Sequence, residues 1–332
     1  MSEVAGAVAR APRGVSPGRL ALRRLRADRT SLAFLALFGV VLVCCLAAPL
    51  WAHWVAHTTA SANHLTDTIR LGGRTVDVVS TDGVPIGPTW HGRFFLGADE
   101  NGRDIMVRLL YGGRTSLAIG FGAAVLTTVI ALLVGLVAGF FRGWVDAVLA
   151  RVLDVVWAYP VVLLGIALGT ALALGGLQIG PLELSGTSIA IPLLIIGVVY
   201  VPYVARPVRA QVLALREREF VDAARVQGAG PWQIMFGELL PNLVTTAIVF
   251  FPLMIANAIL LEAALSFLGA GVQPPAPSWG RMLGDGVQLI TSAPHLTIVP
   301  GLVLVVCVLS LNVFGDGVRE ALDPRARTRV ER

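Results

Sequence analysis

The sequence predicts an all-α polytopic membrane protein with six transmembrane helices, both termini cytoplasmic and a folded extracytoplasmic loop after the first helix. Three observations carry this. Hydrophobic residues make up 55% of the chain and charged residues only 14%, against about 25% charged in a soluble domain. A chain this apolar cannot cover its surface with polar groups in water, so a bilayer must solvate much of it. Six stretches approach the roughly 20 apolar residues that a helix needs to cross the hydrocarbon core, and arginines gather beside them.

The first stretch, Leu32 to Leu50, follows Arg19, Arg23, Arg24, Arg26 and Arg29. It is too long for a signal peptide and lacks a small-residue cleavage site, so it reads as an anchor. The second lies within Thr115–Phe141, bracketed by Arg114 and Arg142; the third starts near Val155 and fades at Gly175-Gly176. The fourth covers Ser188 to Ala205, the fifth Leu240 to Leu261 and the sixth Leu296 to Phe314. Pro160, Pro192, Pro202, Pro252 and Pro300 fall inside them, which membrane helices tolerate where neighbours re-satisfy the backbone. The arginine-rich amino-terminal tail and a second basic tail with Arg319, Arg325, Arg327, Arg329 and Arg332 place both ends in the cytoplasm. The expected organisation is a basic tail (1–31), an anchor (32–51), an extracytoplasmic loop (52–114), a core (115–315) with a cytoplasmic loop at 215–240, and a tail (316–332).

All 26 basic residues are arginine. Without lysine the chain lacks the residue a P-loop uses to reach the β- and γ-phosphates, and no glycine fingerprint of a dinucleotide site follows a strand-like segment. The net charge of +5 sits at membrane flanks, so membrane lipids, not nucleic acid, are its expected partners. Cys44, Cys45 and Cys307 lie in apolar runs without disulfide or zinc spacing and read as small buried hydrophobes. His53 and His57 stand four apart, a spacing that suits a metal; beside Trp51 and Trp54 they read rather as headgroup-level residues, and no metal is expected. No set of side chains converges for catalysis. A secondary carrier remains the alternative, but such carriers usually place charges within their spans, and here these are nearly absent.

Outside the membrane, Arg70–Val78 reads as a β-hairpin around Gly72-Gly73. Asp99, Glu100, Asn101, Arg103 and Asp104 form a polar cluster before the second span, suited to docking a protein or to capping that span. Asp146, Arg151 and Asp154 read as local pairs, and Arg206 and Arg209 as anchoring charges. Glu262, near the outward end of the fifth span, is costly there unless paired or wet; it is either a structural partner or a pathway residue.

Between the fourth and fifth spans, Phe220, Ala223, Ala224 and Gln227 follow helical spacing and share one small, mildly apolar face. Gly228, Gly230 and Pro231 stop that helix, and Trp232, Met235, Phe236 and Leu239 form a second stripe. Such a helix suits a groove in a cytosolic partner, or is an ordinary connector.

Asp222-Ala223-Ala224, Gly228 and Glu238-Leu-Leu-Pro241 resemble the coupling-loop signature of ATP-binding-cassette importer permeases. Asp222 stands where that signature usually has glutamate, and Glu238 where close peptide-transporter relatives often have histidine. Leu96–Ser116 (LGADENGRDIMVRLLYGGRTS), Ala264–Gly280 (ALSFLGAGVQPPAPSWG) and Phe314–Arg325 (FGDGVREALDPR) narrow the resemblance to the C-type permease of the dipeptide/oligopeptide/nickel group. The segment His53–Arg93 is longer than that group leads one to expect. The resemblance implies a type I importer permease fold in a bacterial inner membrane. Its expected partners are a homologous second permease, two ATPase subunits or domains that carry ATP and Mg, and an extracytoplasmic solute-binding protein. It also implies contact with the ATPase through Phe220, Asp222, Ala223, Ala224, Gly228, Glu238 and Pro241, with no cofactor on this chain.

Overall fold

The computed structural model describes residues 17–322. Arg325, Arg327, Arg329 and Arg332, with the end of the Phe314–Arg325 stretch, lie outside the described residues.

Helix α1 (Pro17–Ala27) leads into α2 (Arg29–Leu46), whose cap Asp28 accepts the N–H groups of Thr30 and Ser31 and the Ser31 hydroxyl. These donors hold the Asp28 carboxyl below the usual carboxylate range. The anchor continues through the short α3 (Ala48–Trp51) and a π-helical turn, Ala52–Ala56, which ends at His57 in the left-handed region. Val40, Val43, Leu46, Leu50 and Trp54 are exposed along its outer side. Cys45 and Cys307 are buried, but Cys44 is exposed, against the expectation of three buried thiols.

The hairpin forms as β1 (Thr68–Leu71) against β2 (Arg74–Asp77), with Ile69 opposite Val76. The glycine pair at its turn takes positive φ at both positions, which a type I′ hairpin turn requires. Val78, Phe94 and Ala98 bury a small core of their own nearby.

Helix α4 (Ile105–Phe141) starts ten residues before the expected second span. Its 37 residues extend about 55 Å, well beyond a hydrocarbon core of about 30 Å. Its buried side is built largely of small residues, including Gly112, Ser116, Ala123, Thr127, Ala131 and Gly135. Such faces let backbones approach closely without lipid between them, and α4 packs against α2 and against several of the helices that follow it.

The expected third span is not one helix. It divides into α5 (Gly143–Ala158) and α6 (Val161–Gly175), bent by 87°. Tyr159 is extended at the break and Pro160 caps α6: proline drives the preceding residue out of the α region, so Val155–Ala158 ends α5. The two carboxylates on α5 pair mainly across helices. Asp146 accepts from Arg209 Nε and Nη2 at 2.5 and 2.6 Å, and Asp154 accepts from Arg206 at 2.9 Å; only the 4.0 Å contact of Arg151 with Asp154 is local. Helix α6 buries Gly165 against Leu265 and Gly169 against the Ala270 carbonyl.

A second hairpin, β3 (Leu177–Ile179) with β4 (Leu182–Leu184), leads to α7 (Ala190–Val199) and α8 (Val201–Leu215). Then come α9 (Glu219–Val226), α10 (Pro231–Gln233), a π-helical turn at Ile234–Leu239, α11 (Leu240–Phe267), α12 (Trp279–Val287) and α13 (His295–Leu322). Among the described residues, five helical spans are long and apolar enough to cross a membrane, and the bent α5–α6 pair makes a sixth if it crosses as one. The main core joins α2, α4, α8, α11, α12 and α13, with fully buried Trp279 donating from Nε1 to the Leu109 carbonyl at 3.1 Å.

A Cβ at residue 169 would stand 2.2 Å from the Ala270 carbonyl oxygen, whereas one at Gly175 meets nothing within 4 Å. Gly169→Val should therefore lower stability by about 1–3 kcal/mol, and Gly175→Val by much less, as read from thermal unfolding of the solubilised protein.

Candidate functional site

The segment from Arg216 to Pro241 leaves α8, forms α9, turns at Gly228 and re-enters the bundle as α11. Glycine serves the turn directly. Gly228 has φ +85°, its N–H donates to the Arg225 carbonyl, and the Ala229 N–H donates to the Ala224 carbonyl, both at 3.0 Å. This is a Schellman ending, whose left-handed residue is most readily glycine.

Burial divides α9 differently from the expected face. Val221 is fully buried among the residues of the main core, and half-buried Ala224 packs beside it. Phe220, Asp222, Ala223, Val226, Gln227 and Gly228 are exposed, Val226 at 89%. The outward surface is therefore Phe220–Ala223–Val226–Gln227, with Ala224 turned toward the bundle. Asp222 pairs with Arg225 at 2.9 Å across one helical turn, an exposed contact worth under about 1 kcal/mol.

The second stripe also divides. Ile234, Met235 and Leu239 are buried, while Trp232 and Phe236 are exposed and stacked on each other, centroids 6.0 Å apart. Half-buried Glu238 offers its backbone carbonyl to the Asn242 amide at 2.7 Å, and Pro241 is exposed in the first turn of α11. Two arginines join this segment to the end of α4. Arg216 donates to the Phe140 carbonyl, and Arg142 pairs with Glu217 at 2.9 Å. No local sequence signal reveals these contacts, because the partners lie 76 and 75 residues apart. Helical spacing alone does not single out Val221, because Phe220 and the alanines match a helical face equally well.

The Asp99–Asp104 cluster is largely internal. Asp99 is buried; it accepts the N–H groups of Asn101 and Arg103 at 2.9 Å, Arg103 Nε at 2.7 Å, and lies 3.3 Å from Arg108 Nε. Arg103 and Arg108 reach on to Asp285, which Arg281 also holds at 3.0 Å, so the loop is tied to α12. Asp104, fully buried, caps α4 by accepting from Val107 at 3.0 Å and also accepts the Phe94 N–H at 2.6 Å. Burial pushes its carboxyl up, against the pull of those donors. Only Glu100 is exposed, and Asn101 is half-buried; both border a polar cavity of about 200 Å³ with Arg103, Arg108 and Arg281.

Glu262 is also internal. Ser266 donates to its Oε1 at 2.6 Å and in turn accepts the Val272 N–H at 2.9 Å, pinning the turn after α11. His53 packs edge-on against Trp54, centroids 5.2 Å apart, and His64 lies against Asp67 and Thr58. Among the described residues no His, Cys, Asp or Glu group is placed to hold a metal ion.

Residues 115–328 match the family model of the binding-protein-dependent transport system inner membrane component. The chain belongs to this family. Residues 16–66 also match the N-terminal transmembrane domain of oligopeptide transport permease C. The dipeptide transport system permease protein of Alkalihalophilus pseudofirmus is 35% identical over 95% of this chain and 92% of its own length. The glutathione transport system permease protein of Pectobacterium atrosepticum is 38% identical, covering 70% and 73%. The di/tripeptide transport system permease protein of Pseudomonas aeruginosa is 39% identical, covering 72% and 76%. The fold is similar to that of a chain in the inward-facing MetNI methionine ABC transporter, with TM-score 0.52 and 20% identity over 66% of this chain and 98% of that one. The protein is thus a multi-pass permease of the peptide-transport group within this family.

Two substitutions separate the buried side of α9 from its exposed side. Val221→Ala should cost on the order of 2 kcal/mol of stability by leaving a cavity. Ala223→Glu should leave thermal unfolding unchanged, because residue 223 faces outward. Asp104→Ala should cost about 1–2 kcal/mol from the lost cap, and more with the Phe94 N–H orphaned. Unfolding monitored in detergent reads all three.

Proposed function

We propose that this permease forms half of the translocation pathway of a bacterial inner-membrane importer for short peptides. A homologous permease supplies the other half, two ATPase subunits or domains bind ATP and Mg, and an extracytoplasmic protein delivers the solute. The observation that carries the reading is α9: a short helix held by Val221, presenting a small apolar surface at the foot of α8 and α11. Closure of the ATPase pair would push this helix, and the Arg216–Phe140 and Arg142–Glu217 contacts would pass the displacement to α4. The two access states would then differ in their affinity for nucleotide and solute.

The distribution of charge supports this orientation. The arginines of α1, Arg319 near the end of α13, and those of the α9 segment belong to the chain ends and loop expected on the cytoplasmic side. The 57–104 unit and α12 then face outward. Phe220, Asp222, Ala223, Gly228, Glu238 and Pro241 contact the ATPase together with exposed Val226, while Ala224, turned toward the bundle, supports the helix. The peptide assignment rests on the relatives, and Glu262 reads as a structural pin.

Extraction of the tagged chain from its native membrane should recover a second permease and ATPase subunits. Ala223→Glu should lose the ATPases with a penalty of about 2 kcal/mol, while the permease partner stays bound. Recovery of the chain alone, with solute uptake that persists without ATP, would replace this reading with that of a secondary carrier.

A further inference from the structure

We infer that the loop Thr89–Phe95 is a second membrane anchor that seats the extracytoplasmic unit on the outer headgroup layer beside the first helix. The inference rests on the membrane reading of α2 and concerns a part of the chain that the coupling mechanism does not use.

The loop holds Trp90 outward at a conformational cost. Trp90 has φ +60°, a left-handed conformation that is an outlier for so bulky a residue. The turn that imposes it is tightly bonded. The Thr89 N–H and hydroxyl both donate to the Phe94 carbonyl, at 3.3 and 2.9 Å, and the Trp90 N–H donates to the Phe95 carbonyl at 3.1 Å. Yet Trp90 is 63% exposed, so the strain does not serve burial within this chain.

What surrounds the indole names its partner. Trp90 packs edge-on against Phe95 with centroids 5.6 Å apart, and Phe95 packs edge-on against Trp51 at 5.7 Å. Trp51 ends α3, the direct continuation of the anchor. The loop tip also meets the anchor: a Cβ on Gly92 would lie 3.9 Å from the Val55 carbonyl oxygen. The exposed apolar side of the anchor runs through Val43, Leu46 and Leu50 to Trp54, at 71% exposure. Tryptophan has an apolar body and one N–H, which favours the boundary between acyl chains and water. Trp54 stands where the apolar stripe of the anchor ends, and the Trp51–Phe95–Trp90 ladder extends from that same end. The chemistry is that of a phospholipid interface.

The full chain, with any subunits that co-purify, is placed in phosphatidylcholine nanodiscs with either ordinary lipid or lipid brominated high on the acyl chain. The wild-type minus Trp90→Phe emission isolates one indole, and phenylalanine keeps the ring contact with Phe95. We expect a blue-shifted component that brominated lipid quenches and aqueous iodide does not. Trp54→Phe, measured in the same way, reports the anchor itself. Quenching of Trp54 but not of Trp90 overturns the loop anchor and leaves the membrane reading standing. Quenching of neither overturns both. A Trp90 component open to iodide until the solute-binding protein is added would instead make this loop a protein-docking surface.

Discussion

The bundle depends on how closely other helices can approach α4. In a bilayer the hydrophobic effect gives two apolar helices little reason to associate, so contact rests on packing and hydrogen bonds. Gly135 and Gly139 of α4 leave room for Val208 and Val212 of α8, and Gly120 for Ile259 of α11. The Thr127 hydroxyl donates 2.7 Å to the Gly197 carbonyl of α7. Because one long helix carries these contacts, its two ends are mechanically connected. One end is capped by Asp104 within the 57–104 loop unit, and the other meets Arg216 just before α9.

Buried charge is concentrated outside the apolar middle of the helices, where it holds loops to them. Asp99, Arg103, Arg108, Asp285 and Arg281 join the loop before α4 to α12. Breaking one partner of such a group would leave another charge buried and uncompensated. At the other end, Asp146 and Asp154 fasten the bent α5 to α8. Pro160 breaks the third hydrophobic stretch where hydropathy alone suggests a straight crossing, and these contacts hold its first half against α8.

In the α9 segment a helical pattern fixes the helix but not which of its faces is buried. Phe220, Ala223, Ala224 and Gln227 do share helical spacing, and Gly228 does end the helix. But an eight-residue helix with valine, alanine and phenylalanine at mixed positions has two faces that are nearly equivalent as patterns. The choice between them came from Ile234, Met235 and Leu239, which offer a pocket for Val221. The polar cluster at residues 99–104 was legible as a cap for α4. Its internal pairing was not, because Asp285 lies far along the chain.

By itself the sequence determined that the chain is membrane-embedded, where most of its apolar spans fall, that it lacks the lysine of an ATPase loop, and which family its motifs resemble. Those properties follow from local composition and fixed spacing, which the chain carries wherever it folds. Only the tertiary structure decided that Asp146 and Asp154 pair with α8, that Ala224 turns inward while Val226 faces out, and that Asp99, Asp104 and Glu262 are enclosed. The physical reason is that burial belongs to pairs of elements. Whether a side chain meets water, lipid or protein is set by helices and loops remote in sequence that pack over it.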